Sequence, residues 1–481
     1  MTMFKSVGFS NYRCFKDIDS VELFPLTVLC GINSSGKSSI INSLLIQKQS
    51  YESHSNSNFL RFSGDYVKSG LYSDVVTKHN IEKDIVFRYS TVLDKVKKYK
   101  PGTSSNRVDV TAYKSLYKLF DLPRIDRFVI AVSTTVSYTN GTPDNFLSAQ
   151  KIVIRAISND EILKETIISL EKSNWSRKNY DITLDNFPGC DQPRVVLRKA
   201  SCYFENCSIY NVYAEIIEPK DTQVSELLGG LYSIYRILAM QFSNVHFLTP
   251  LRVYPRNNYF SDGYVTDVGS GGENTPEILA SFATKRNTKF CACTSVSPNF
   301  STIESLPLAD HVWNWMDYIG FKNCGIQKDL DSIRVNVDGF NISNVGFGAS
   351  QVLPIVTEGI LMNPNELLCL EQPEIHLHPK AQMAMADFLI ATAMSQRGLI
   401  VETHSDHIIN RLVRRIMEDP DIAKIVRIYF VDQVDGISKI EPIEIDSTLG
   451  VVNENENFFT QFASETEQIM LTGYKNARIL Q

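Results

Sequence analysis

The sequence predicts an α/β protein. A phosphate-binding head is assembled from both ends of the chain, with a β-rich N-terminal lobe and a mixed helical insertion between them. Three observations carry this reading. Residues 31–38 are GINSSGKS, a glycine-rich loop set between an apolar run and a stretch of helical spacing. Short runs of alternating polarity fill residues 65–200. An α/β rhythm returns in the last third, where the apolar runs NELLCLEQ and GLIVETHS alternate with helical patterns.

Each element follows from local chemistry. VELFPLTVLC ends in a run apolar on both faces, as a fully buried strand requires, and SSIINSLLIQKQS repeats its apolar residues at helical spacing. DIVFRYS, RFVIAVSTTVSYT, KIVIRAIS and PRVVLRKA read as antiparallel strands, with Asn140-Gly141 as one of the turns. Residues 222–242 read as a helix. In DVGSGGENTPEIL, Thr275 is the expected N-cap and Pro276 a first-turn proline. Residues 308–319 form a helix whose two tryptophans are read as core packing rather than a base-stacking platform. PKAQMAMADFLIATAMS opens on Pro379 and DHIINRLVRRIM is a further helix. KIVRIYFVD turns at Asp435-Gly436 into SKIEPIEID. The expected organisation is 1–50 for the phosphate-loop start of the head, 51–220 for the β-rich lobe and 221–330 for the helical insertion. Residues 331–432 form the C-terminal lobe of the head and 433–481 a small extension.

Composition narrows the class. A chain of 481 residues with 43% hydrophobic content can fill two or three cores, and its net charge of -6 excludes a whole-chain basic footprint for nucleic acid. Local basic runs occur at Lys95, Lys97, Lys98 and Lys100, and at Arg411, Arg414 and Arg415; both read as solvated faces. Nine cysteines, including Cys202, Cys207, Cys291 and Cys293, lack zinc-site spacing and read as free thiols in a reducing cytoplasm. Neither a signal-peptide core nor a membrane-spanning run is expected.

The loop Gly31-x-x-x-x-Gly36-Lys37-Ser38 meets the Walker A pattern. Its glycines let the backbone turn so that N–H groups across Asn33, Ser34, Ser35, Gly36 and Ser39 face phosphates, helped by the N-terminus of the following helix. Lys37 would reach the β- and γ-phosphates of ATP, and Ser38 would ligate Mg2+. The partner motif, Glu371-Gln372-Pro373-Glu374, lies far downstream, which implies an insertion between the two halves of the head.

GINSSGKSS together with LLCLEQPEIHLHPKAQ, VGFGASQVLP and VETHSDHIINRL resembles the P-loop ABC-type ATPase heads of the RecF/SMC/OLD group. FSGDYVKSGLYSDVV and LTPLRVYPRNNYF bring it closer to the branch of bacterial AAA-type ATPases with a short C-terminal domain of the DUF3696 kind. The resemblance implies that Gly346, Gly348, Ser350 and Gln351 form a signature segment that closes over ATP on a second protomer. It implies that His404 is a switch histidine and that His376 and His378 lie near the dimer interface in a structural role. Gln47 and Gln49 are both candidates for the Q-loop position.

The resemblance also implies Asp-Glu-Pro where this chain has Glu371-Gln372-Pro373. Glu371 would hold the metal. An amide at Gln372 orients water but is no general base near neutral pH, so hydrolysis is expected to be slow and an ATP-bound dimer long-lived, unless Glu374 acts as base. The resemblance extends to the ATPase subunit of Septu-type anti-phage defence, which works beside an HNH nuclease. The function implied is an ATP-dependent switch, a homodimer or higher even-numbered oligomer, for a separate effector. A RecF-like DNA-repair ATPase, with nucleic acid in the assembled complex, and a scaffold with permanently bound ATP are the alternatives. Asp432 and Asp435 are read as belonging to a hairpin rather than to a nuclease centre.

Overall fold

The computed structural model describes residues 4–53, 58–95, 107–138, 145–173, 179–205, 207–214, 216–220, 224–260, 265–282, 287–329 and 332–452. The expected Asn140-Gly141 turn, Lys97, Lys98, Lys100 and residues 453–481 lie outside the described residues.

The head is a six-stranded sheet. Its strands are β1 (Leu26–Gly31), β2 (Val245–Leu248), β3 (Leu367–Glu371), β4 (Gly398–Glu402), β5 (Val426–Val434) and β6 (Ile437–Pro442), in the spatial order β2-β3-β4-β1-β5-β6. All neighbours are parallel except the terminal β5–β6 hairpin. Asp435 and Gly436 turn that hairpin with left-handed backbone, φ 52 and 74, as their sequence implies. Helices α1 (Lys37–Glu52), α2 (Phe347–Leu361), α3 (Pro379–Met394) and α4 (Asp406–Glu418) complete the head. The fold is thus α/β and built from both chain ends.

Parallel strands covered on both faces must be apolar on both faces, and the side chains divide accordingly. Leu29, Leu367, Cys369, Ile400 and Val431 enter one core, with Ile40, Leu44 and Ile41 of α1. Leu26, Val28, Cys30, Leu368, Leu370 and Val401 enter a second, with Phe388 and Met385 of α3 and Trp315. Trp315 is fully buried against Phe388, ring centres 5.2 Å apart, so it packs core as expected.

A ten-stranded antiparallel sheet covers the first core. From one edge it runs Phe15–Glu22, Phe4–Tyr12 and Ile85–Asp94, then in sequence order to Ser208–Tyr213. The first two strands of the chain therefore pair into the β-rich sheet, with Phe9 opposite Phe87. Helix Val224–Phe242 packs beneath it, and the strand pair Asn287–Cys293 and Pro298–Pro307 lies beside helix Leu308–Ile319. Thr275, the expected N-cap, is instead the first helical residue, its hydroxyl donating to the Gly272 carbonyl at 2.7 Å. All nine cysteines are free thiols. Among the described residues no helix is long and apolar enough to cross a membrane.

The arginines of α4 depart from the solvated-face reading. Arg411 and Arg415, four residues apart on one helical face, both turn inward to Asp387 of α3, while Arg414 points out to Glu418 at 2.7 Å.

A buried ionic cluster ties α2 to the sheet edge. His246 of β2 has Nδ1 2.6 Å from Glu358 Oε1 and Nε2 3.3 Å from Glu366 Oε2. Burial disfavours the imidazolium, but Glu358 and Glu366 outweigh it and raise its pKa to about 10. A raised pKa means that the stability this contributes is complete below about pH 6.5 and is lost as pH rises towards 10. Chemical-denaturation curves are expected to show this loss beginning above neutrality in the wild type, with His246→Asn flattening it; parallel profiles would refute the assignment.

Candidate phosphate-binding site

Parallel strands deliver their C-terminal ends to one edge of the head sheet, where α/β proteins bind ligands. That edge collects Gly31 from β1, Glu402 from β4 and Glu371 from β3. Val431 pairs with Gly31, and Glu371 lies directly opposite Glu402.

The loop between β1 and α1 has the shape its glycines require. Gly31 has φ 139, and a Cβ there would stand 2.0 Å from the Val431 carbonyl oxygen. Gly36 has φ 102, and a Cβ there would meet Cys14 Sγ at 2.5 Å and the Phe15 ring at 2.7 Å. Ser34 adds a third left-handed residue. The backbone is thereby coiled at the start of a sixteen-residue helix, the end of a helix whose first N–H groups lack a carbonyl one turn earlier. Ile32, Asn33 and Ser34 are exposed, Gly36 and Ser38 half-buried, and Ser35, Lys37 and Ser39 buried. Lys37 Nζ donates to the carbonyls of Ile32 at 2.6 Å and Gly31 at 3.1 Å, arching over the loop it serves. Burial lowers its pKa, while Glu402 and the Cys30 thiol oppose that.

The acidic side of the edge holds two carboxylates. Burial, and after it the Glu402 charge, push Glu371 up to about 7, with Arg252 and Arg13 pulling it back. Glu402 is also raised by burial, against the neighbouring Ser38 hydroxyl and Lys37. Its Oε2 is buried without a hydrogen-bond partner.

Gln372 sits in left-handed backbone, φ 44, held from two sides. Its N–H donates to the Glu402 carbonyl at 2.8 Å, and its own carbonyl accepts from the Arg252 guanidinium at 3.3 Å. Glu374 is anchored: its carboxylate accepts from Thr403 Oγ1 at 2.9 Å and from the His404 N–H at 2.7 Å. Its pKa is raised by burial despite these bonds. Burial, and after it the Lys37 charge, lower the pKa of the His404 ring.

The segment that the resemblance assigns as a signature, Gly346 to Gln351, lies at the start of α2. Gly348 packs so closely that a Cβ would stand 3.0 Å from the His376 carbonyl oxygen. Ser350 turns its hydroxyl back to the Phe347 carbonyl at 2.8 Å, and the Gln351 amide oxygen accepts from the Arg252 N–H at 3.2 Å. Both side chains are buried inside their own chain, whereas Gly346 and Phe347 are exposed. The His376 ring lies tilted against that of Phe347, ring centres 5.8 Å apart, and His378 caps α3 by accepting from the Lys380 N–H. Gln47 bonds within α1 and Gln49 bonds the Val67 segment.

Two residues of the edge had no role in the sequence reading. Glu402 closes an apolar run just as Glu371 does, and that repeat is the signal that marks it. Arg252, 4% exposed, donates to the Glu371 carbonyl at 2.8 Å as well as to Gln372; its only signal was a lone cation in LTPLRV.

Among solved structures the chain is similar to an SMC head bound to the C-winged helix domain of ScpA, at 11% identity and TM-score 0.42, covering 93% of this chain and 99% of that one. It is similar to the SMC head domain from Thermotoga maritima, at 10% identity and TM-score 0.35, covering 92% and 100%. A third is the Smc head domain with an extended coiled coil bound to the C-terminal domain of ScpA derived from Pyrococcus furiosus, at 10% identity and TM-score 0.38, covering 93% and 98%. No curated protein matches. The family model of the AAA ATPase domain matches residues 3–188 and 273–409, well over half of the chain, and the chain belongs to that family.

Proposed function

We propose that this chain is an ABC-type ATPase that binds ATP and hydrolyses it slowly. Two copies close over the nucleotide, and the closed dimer, or a higher even-numbered oligomer, regulates a separate effector. The observation that carries this is the amide of Gln372 at the end of the Walker B strand, its backbone held by Glu402 and Arg252. The other carboxylate of the motif, Glu374, is occupied by Thr403 and His404. A site that can orient water but lacks a free base holds its nucleotide. The motif resemblance supports an HNH nuclease as the effector, in bacterial anti-phage defence of the Septu kind.

Oxygen donors at a strand edge suit a hard dication, and Ser38 and Glu371 are the proposed Mg2+ ligands. When bound, Mg2+ neutralises phosphate charge. Around it, Lys37 would bind the phosphates, the Ser34–Ser39 backbone would orient them and His404, its pKa lowered by burial and by Lys37, would face the terminal phosphate.

Full-length protein incubated with Mg2+ and ATP tests the proposal, with released ADP, retained nucleotide and particle mass followed in one sample. Retained ATP, mass in even multiples and turnover well below about 1 per second are expected. Brisk turnover without a mass change would overturn it. Lys37→Ala is expected to weaken ATP binding roughly 10- to 100-fold by calorimetry, since a hydrogen bond to a charged group contributes about 1.5–3 kcal/mol; unchanged affinity would remove Lys37 from the site.

A further inference from the structure

We infer that Glu402 is a ligand of the nucleotide-bound divalent cation, and that it stands closer to Ser38 than Glu371 does. The inference rests on the ATP-binding reading above. Its first support is topology. In the order β3-β4-β1, Glu402 lies on the strand adjacent to the phosphate-loop strand, and Glu371 lies one strand further out. Strands are spaced about 4.8 Å apart, so Glu371 starts about 10 Å from β1 and Glu402 about 5 Å. A cation held by Ser38 therefore meets Glu402 first.

The second support is the side chain itself. Glu402 is 6% exposed, and its Oε2 is buried with no hydrogen-bond partner. A buried carboxylate oxygen without a partner is costly and points to a missing one. The groups acting on that carboxylate are the Ser38 hydroxyl and the Lys37 ammonium, and Glu371 stands opposite it across the β3–β4 ladder. Lys37 is committed to the carbonyls of Gly31 and Ile32. Two carboxylates side by side with one hydroxyl form an oxygen-only donor set with excess negative charge, which suits Mg2+ or Mn2+ and no soft metal.

The test uses the full chain with Mn2+ as a spectroscopic probe and ADP as the nucleotide. Free Mn2+ is read by electron paramagnetic resonance, and ADP affinity without metal by calorimetry. Glu402→Gln is expected to weaken Mn2+ binding to the ADP-loaded chain by at least about tenfold, since even residues behind metal ligands contribute 10–100-fold. Metal-free ADP binding should hold or tighten. The variant removes one of two facing charges, so it should also melt higher than wild type without metal and lose most of the melting shift that Mn2+ produces. Glu402→Asp keeps the charge on a shorter arm; it should fall between the two, and it serves as the probe if the glutamine variant does not fold. Mn2+ affinity within twofold of wild type in both variants overturns the assignment, including the case in which only turnover falls, which would make Glu402 a proton acceptor. If wild type binds no ADP, the ATP-binding reading fails. Mn2+ titration of the nucleotide-free chain then decides the ligand question alone: binding lost in Glu402→Gln supports the assignment, and binding equal in both proteins overturns it.

Discussion

Gln372→Glu is expected to raise ATP turnover by about 10²-fold or more, within the 10²–10⁴ range that a positioned general base contributes. The backbone of residue 372 is held from the Glu402 carbonyl on one side and the Arg252 guanidinium on the other. Exchanging an amide for a carboxylate leaves those bonds in place. It changes only whether the side chain can take a proton. The variant should also release nucleotide sooner and spend less time as the assembled particle. Rapid-quench measurement of ADP formation in the two proteins decides the matter. If wild type turns over as fast as the variant, another group is the base, and Glu374→Gln then shows whether that group leaves Thr403 and His404 to act.

Asp387→Asn is expected to cost about 3–5 kcal/mol of unfolding free energy, the range for removing one partner of a buried ion pair. The Asp387 side chain is fully buried. It accepts from the guanidinium of Arg411 at 2.7 Å, from that of Arg415 at 2.8 Å and from the Tyr318 hydroxyl at 2.6 Å. The arginine side chains are only 17% and 20% exposed, so water screens little of the pair. An amide would leave two cations facing each other with no charge between them. The sign with pH follows from the carboxyl's pKa. Burial alone would raise it, but the bonds from Arg415, Arg411 and Tyr318 win and hold it below the usual carboxylate range. Its contribution is therefore present above about pH 4 and lost as pH falls through the lowered value. Urea unfolding at pH 7 and at pH 3 should show a large gap between wild type and variant at the first and a smaller one at the second. A gap under about 1 kcal/mol at pH 7 would mean the cluster is not a stabilising centre.

Much of the head could be read from sequence because its signals are local. The glycines of GINSSGKS, the apolar run before them, the Pro379 helix start and the Asp435-Gly436 turn each state their conformation within a few residues. What stayed hidden depends on partners distant in the chain. Glu402 gains its meaning from standing opposite Glu371, and strand register is set by packing rather than by neighbours in sequence. Arg411 and Arg415 resembled a solvated basic face because the carboxylate they serve lies on a different helix. Ser350 and Gln351 matched a signature by type, yet their side chains bond Phe347 and Arg252 of their own chain. Gly36 was read for backbone freedom alone; its second reason, the approach of Cys14 and Phe15, comes from a hairpin whose sequence carries no mark of it.

The position of β1 in the sheet sets a clock on synthesis. This strand and the phosphate loop leave the ribosome long before the neighbours of β1, which are β4 and β5 and begin at Gly398 and Val426. At about 5–20 residues per second, the loop waits roughly 20–80 s for both its flanks. Meanwhile the antiparallel sheet, made largely of successive hairpins, can close behind it. A nascent or prematurely ended chain therefore carries the Walker A sequence without its supporting layer. The loop gains its supporting layer only once β4 and β5 have been made.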